Sequence, residues 1–303
     1  MKNLLLIVFG VLFMTIANFA QANQAHYRIY DADGRTATLE QILAAAAGAE
    51  VVFLGENHDD ATAHALQLEI FAALAERHAK DRRVALSLEM FERDVQIVVD
   101  EYLKNLITEN HFLLSSRPWN NYKQDYRPLV ELAKEKRLPV IAANAPRRYV
   151  NMVSRNGRAA LDALAPEAKR WLAPLPFNQP SEAYARKFNA LMGGSPESKM
   201  GLNNILDSQT LWDATMAYSI DEFLRANKNP LVVHLNGAFH SESRLGAPEQ
   251  LARFRPKTNF LVVTMRYEEE FGNFDQSKHR KLGDFVVLTD ARQPRSFQPQ
   301  MPR

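Results

Sequence analysis

Residues 51–60, Val-Val-Phe-Leu-Gly-Glu-Asn-His-Asp-Asp, decide how the rest of the chain is read. An apolar, β-branched run at Val51–Leu54 predicts a buried strand, Gly55 permits a tight turn after it, and Asp59 or Asp60 can cap a helix that follows. The same order of strand, polar turn and helix recurs. Val84–Leu88, Val140–Ala142, Leu231–Leu235, Phe260–Thr264 and Phe285–Leu288 read as further strands, with helical patterns at 61–79, 95–108 and 129–136 between them. Leu39–Ala47 reads as a helix leading into the first strand. This alternation predicts an α/β fold: a largely parallel sheet flanked by helices. Residues 151–205 break the rhythm with Pro166, Pro174, Pro176, Pro180 and the pair Gly193-Gly194, which predicts an inserted helical cap within a single domain spanning 23–291. From Arg292 to Arg303 there is no periodicity, and a disordered tail is expected.

Composition narrows the functional classes. The chain has 303 residues, 46% hydrophobic and 24% charged, within the range of ordinary globular proteins. Its formal charge of +2 is too balanced for the basic footprint of a nucleic-acid-binding protein. Cysteine is absent, which removes disulfides, thiolate metal sites, cysteine nucleophiles and the acylated cysteine of a lipoprotein. Any metal would have to be held by His, Asp, Glu or Tyr. At the start, Met1-Lys2-Asn3, the apolar run Leu4–Ile16 and the small-x-small Ala20-Gln21-Ala22 predict a signal peptide over 1–22, cut before Asn23. An uncleaved anchor is the alternative; in a bacterium the cleaved product would be periplasmic.

The chemistry-bearing residues fall after the strands, where the loops of a parallel sheet share one edge. Gly55-Glu56-Asn57-His58 follows the first strand, Glu89 and Glu92 the second, and Asn144 with Arg147-Arg148 the third. His234 lies in the fourth, before Gly237-Ala238-Phe239-His240. A single Gly-x-x-His turn is as well explained by a helix cap with its imidazole on a backbone carbonyl; two such turns favour a shared site. His58 and His240, with His64, His234 and Asp213, are the candidate metal ligands, and Glu56 and Glu89 the candidate acid-base carboxylates. His64, one turn before Gln67, either reaches the site or is a satisfied core histidine. Trp212–Ala217 reads as the start of a helix after the cap, with Asp213 as a ligand or a histidine-orienting partner. Glu92 either joins the site or pairs with Arg93. Trp119, Tyr122 and Tyr126 share one loop, and Tyr184, Phe188, Met192 and Met200 populate the cap. These side chains either pack the cap onto the core or sandwich a porphyrin, whose iron can take Tyr, His or Met as ligand.

These motifs jointly resemble the ChaN-like haem-binding uptake family of the Tiki/erythromycin-esterase-like superfamily. The resemblance is carried by Gly55-Glu56-Asn57-His58 with His64 and Gln67, Leu88–Glu92, Trp119…Tyr126-Arg127-Pro128, Ala142-Ala143-Asn144, Gln209-x-x-Trp212–Ala217, and His234-x-Asn236-Gly237-x-Phe239-His240-Ser241. It implies an exported protein that binds haem, can dimerise with it, and serves haem or iron acquisition alongside envelope uptake components. Tyr126, Tyr184, Met192, Met200 and Arg147 then become candidate haem contacts. It also leaves open a periplasmic metal-dependent hydrolase built on His58, His240 and the neighbouring carboxylates. Relatives often carry His- or Met-rich sequence in the cap; here Met192–Met200 holds two methionines and no histidine.

Overall fold

The computed structural model describes residues 25–192 and 199–297, with the side chains of 199–202 excepted. Eight strands form one sheet in the order β2-β1-β8-β7-β3-β6-β4-β5. The strands β3 (Val51–Glu56), β4 (Arg83–Glu92), β5 (Val140–Asn144), β6 (Pro230–Gly237), β7 (Phe260–Glu268) and β8 (Phe285–Asp290) run parallel, as the alternation predicts. A hairpin of β1 (Tyr27–Asp31) and the two-residue β2 (Thr36–Ala37) adds an antiparallel edge beyond β8. β2 is too short to announce itself by pattern, and β1, Tyr-Arg-Ile-Tyr-Asp, lacks the continuous apolar run of the parallel strands.

Both faces of the parallel strands are covered, which is why they read as continuous apolar runs. Val52, Leu54, Leu86, Leu88, Val233 and Leu235 face one layer, where they meet Ile70, Phe71 and Leu74 of α2 (Ala61–Arg77) and Leu43 of α1 (Leu39–Ala46). The same layer contains α3 (Gln96–Leu103), α4 (Glu109–Ser116) and α5 (Arg127–Glu135), contributing Val99, Phe112 and Leu129. Val51, Phe53, Val232 and Val262 face the other way, against Met216, Ala217 and Ile220. The chain from β5 to β6 supplies that second layer: α6 (Arg147–Asn156), short helical turns, α7 (Glu182–Leu191) and the 28-residue α8 (Lys199–Ala226). After β6 comes α9 (Ala247–Phe254), which packs Leu251 into the same layer. Among the described residues no helix is long and apolar enough to cross a membrane.

Three expectations meet different outcomes here. Trp212 does not begin a helix: it sits inside α8, because no proline or glycine interrupts the chain from Leu202 to Ala226. Of the tail, residues 292–297 are described, and Ser296 is bonded through both its backbone and its hydroxyl. The signal peptide at 1–22 lies outside the described residues, as do 298–303.

Two isoleucines test which face of each helix carries the core. Ile70 is fully buried and Ile97 is 67% exposed. Ile70→Ala is expected to cost about 2–5 kcal/mol and Ile97→Ala less than about 0.5 kcal/mol, read by urea unfolding.

Candidate functional site

The site begins with β3 and β6, which are hydrogen-bonded neighbours in parallel register, Gly55 opposite Asn236 and Glu56 opposite Gly237. Both Gly-x-x-His turns therefore leave the same edge of the sheet side by side. Each glycine makes room for the other turn. A Cβ on Gly55 would lie 2.7 Å from Ser241 Oγ and 3.1 Å from Ala238 Cα, and one on Gly237 would lie 2.7 Å from His58 Nε2.

Beyond β3 the chain turns through Asn57–Asp59, and Asp60 caps α2 by accepting from the amides of Thr62 and Ala63 at 3.1 Å. His58 does not bond a backbone carbonyl. Its Nδ1 lies 2.9 Å from Glu56 Oε1, an oxygen that also accepts from the Tyr126 hydroxyl at 2.6 Å. Glu56 Oε2 accepts from Gln67 Nε2 at 2.7 Å and lies 3.3 Å from His64 Nδ1. His64 Nε2 faces the His58 carbonyl at 3.2 Å and Asp125 Oδ2 at 3.6 Å. Asn121 ties the outer loop in, donating to the His58 carbonyl at 2.9 Å and to Asp125 at 2.8 Å.

The electrostatics follow from this crowding. Burial disfavours the charged form of Glu56, but the charges of His64 and His58 and their hydrogen bonds outweigh it and hold the carboxyl well below its usual range. Burial likewise opposes protonation of the imidazoles, yet the carboxylates win. The Glu56 hydrogen bond with the Glu89 and Glu56 charges raises His58 to about 9, and Glu56 and Asp125 raise His64 to about 10. Near neutral pH the cluster is a buried carboxylate between two imidazolium ions.

Across the edge, His240 repeats the arrangement. Its Nδ1 is 2.8 Å from Asp213 Oδ1 on α8, and its Nε2 is 3.8 Å from Glu89 Oε1. Glu89 Oε2 accepts the Gly237 amide at 2.7 Å, so this carboxylate stands between the two turns. His240 is raised too: burial lowers it, and the Asp213 and Glu89 charges more than compensate. Glu92, the last residue of β4, pairs with Arg117 at 2.9 Å rather than with Arg93.

Two cavities adjoin here. One of about 330 Å³ is lined by His58, Glu89, Asn144, Arg147, Trp212 and His240, among others, and one of about 470 Å³ by His58, Arg117, Trp119, Asn121, Arg147 and Phe297. His58, Trp119 and Arg147 belong to both. Trp119 packs edge-on to His58, ring centroids 4.8 Å apart. Arg147, the first residue of α6, is exposed and has no ion pair among the described residues.

A family model described as haem-binding uptake, Tiki superfamily, ChaN matches residues 42–251, which include both turns. The chain belongs to the ChaN haem-binding uptake family. Among solved structures, ChaN of Campylobacter jejuni, described as binding haem cofacially, is similar in fold, with a TM-score of 0.68 at 20% identity. That match covers 88% of this chain and 98% of the other. A Bacillus cereus protein has a TM-score of 0.48 at 11% identity, covering 90% and 97%, and an erythromycin esterase 0.46 at 14%, covering 87% and 83%. No curated protein matches.

Within this ChaN-family site the expected residues sort clearly. His58, His240, Glu89 and Arg147 line a cavity, while Glu56 and Asp213 stand behind the two imidazoles. Tyr126 is buried against Glu56 and Tyr184 against Phe239, so neither hydroxyl reaches the cavities as a haem contact. Burial, with Glu56 beside one and Asp213 beside the other, keeps both phenols well above their ordinary range. Met192 is exposed at the end of α7, away from both cavities, and the Met200 side chain lies outside the described residues. The expected metal centre is not formed. Among the described residues no group of three or more His, Asp or Glu side chains is placed to hold a metal ion. His64 has protein acceptors at both nitrogens. His234 lies in the interior with Ser87 2.9 Å from its Nδ1, and burial and the His240 charge depress it to about 3. Asn121, Asp125, Arg117 and Phe297 enter the site unanticipated. Asn121 and Asp125 had one sequence signal, their place in the Trp119–Tyr126 loop.

The cluster sets a pH window. Glu56 contributes above its ordinary 4.5 and loses that contribution as pH falls; His58 and His64 contribute below their ordinary 6.5 and lose it as pH rises through about 9 and about 10. Glu56→Gln is expected to cost about 3–5 kcal/mol. Its Tm deficit should be largest between pH 4.5 and 6.5 and should shrink toward pH 10. A deficit that does not vary with pH contradicts this assignment.

Proposed function

We propose that this protein binds haem at the two adjoining cavities and serves haem or iron acquisition. The observation that carries the reading is the pairing of apolar aromatic walls, Trp119 and Phe297, with a cationic rim of Arg147, Arg117 and the His58 imidazolium. A planar tetrapyrrole with two carboxylate arms needs that combination of surfaces. Arg147 suits a carboxylate because it has no ion-pair partner to give up among the described residues, whereas Arg117 already shares Glu92 and Asp94. His58, with Nδ1 fixed by Glu56, offers a charged N–H toward the same anionic edge. When bound, haem would supply the iron for uptake.

Export supports the same reading. The charged start, apolar run and Ala20-Gln21-Ala22 would deliver the mature chain to the periplasm, in reach of envelope uptake components. The open, shared mouth of the two cavities would suit two copies meeting over haem, as the cofacial binding described for the Campylobacter protein suggests.

A second reading, a periplasmic hydrolase, has one observation behind it. His240 is oriented by Asp213 and faces the 330 Å³ cavity beside Glu89, as an imidazole placed for proton transfer would be. Its metal-dependent form finds no ligand set among the described residues. Turnover of chromogenic esters that is lost in His240→Ala would favour it.

Hemin titration tests the main reading. A saturable Soret change is expected, weakened about tenfold in Trp119→Ala and in Arg147→Ala. Affinity should hold from pH 7 to 8 and fall as pH passes about 9, where His58 loses its charge. No saturable change in the wild-type protein overturns it.

A further inference from the structure

The stretch after β8 does not leave the molecule but runs to the mouth of the larger cavity. Arg295 lies over the Tyr267 ring of β7, 4.1 Å from its centroid. Ser296 then makes contacts to two loops that are far apart in sequence. Its amide donates to the Asp59 carbonyl at 2.9 Å, its hydroxyl to Asp125 Oδ2 at 2.8 Å, and its carbonyl accepts from Gln124. Asp59 follows His58 directly, and Asp125 is the carboxylate facing His64. The next residue, Phe297, is half-buried and lines the cavity together with His58 and Trp119.

We propose that residues 292–297 form a strap that completes the ligand site, with Phe297 as a binding residue for the flat apolar face of the ligand and Ser296 as its anchor. The ligand's identity rests on the haem reading; the strap itself rests on the contacts above. The strap lies outside the span matched by the family model, residues 42–251. Its geometry explains the placement. Ser296 clamps the His58 loop to the Trp119–Tyr126 loop, and that clamp holds Phe297 in the wall rather than in solvent. An aromatic ring in that position adds apolar contact at low entropy cost, because it has only two side-chain torsions to fix.

The test uses the full mature chain and its Phe297→Ala and Ser296→Ala variants. Hemin titration is combined with fluorine NMR of protein labelled with 5-fluorotryptophan, the Trp119 resonance being identified with Trp119→Phe. Phe297→Ala is expected to weaken hemin binding about tenfold and to shift the Trp119 resonance in ligand-free protein, with Ser296→Ala acting in the same direction by a smaller factor. Thermal melting of each variant, unchanged, separates this from loss of fold. Equal or tighter hemin binding by Phe297→Ala, or an unmoved Trp119 resonance, overturns the strap. If wild-type protein gives no hemin signal, the haem reading falls and the Trp119 resonance alone decides the strap: movement supports it and constancy overturns it.

Discussion

The rim of this sheet is organised by the need to keep one charge, the Glu56 carboxylate, in the protein interior. A buried carboxylate without partners would be neutralised or would destabilise the fold, so its surroundings must supply donors and positive charge. Four side chains do so: His58, His64, Gln67 and Tyr126, drawn from the turn after β3, from α2 and from the loop before α5. The consequence reaches outward. Fixing His58 by its Nδ1 fixes the mouth of both cavities, and holding His64 places Asp125, which in turn receives Ser296 and brings the strap to the same mouth.

The second half of the site uses the same device with different residues. Asp213 holds His240 as Glu56 holds His58, and Glu89 sits between the two turns on the Gly237 amide. Neighbouring strands in register make this possible, and Gly55 and Gly237 make it close, since a methyl group at either would occupy the space of the opposite turn. The outcome is a pair of carboxylate-held imidazoles over one cavity, His58 raised to about 9 and His240 raised as well by the Asp213 and Glu89 charges. Such a rim attracts anions, and it disfavours a divalent cation until protons leave.

Much of this was legible in the sequence because the fold obeys simple periodicities. The six parallel strands announce themselves as buried apolar runs, and the two Gly-x-x-His turns after Leu54 and Leu235 mark the edge where the ligand-type residues gather. Asp213 as a histidine-orienting partner could also be read, although its helix begins at Lys199, well before Trp212. What could not be read depends on contacts with no local signature. Whether His64 faces solvent, core or carboxylate depends on where Glu56 and Asp125 meet it, and the aromatic side chains of the cap turn inward because Phe239 lies beneath them. Phe297 sits in a proline-containing aperiodic stretch, so nothing in its neighbourhood distinguishes a disordered tail from a strap.

Haem recognition as proposed here presupposes that His58 is a fixed imidazolium at the cavity mouth. Nitrogen NMR of His58 in ¹⁵N-labelled protein, followed from pH 5 to 10.5, measures that directly. The expected result is a ring doubly protonated at pH 7.5 that titrates near 9 and returns toward 6.5 in Glu56→Gln. A wild-type His58 that titrates near 6.5, with its neutral ring prevailing at pH 7.5, would contradict the account.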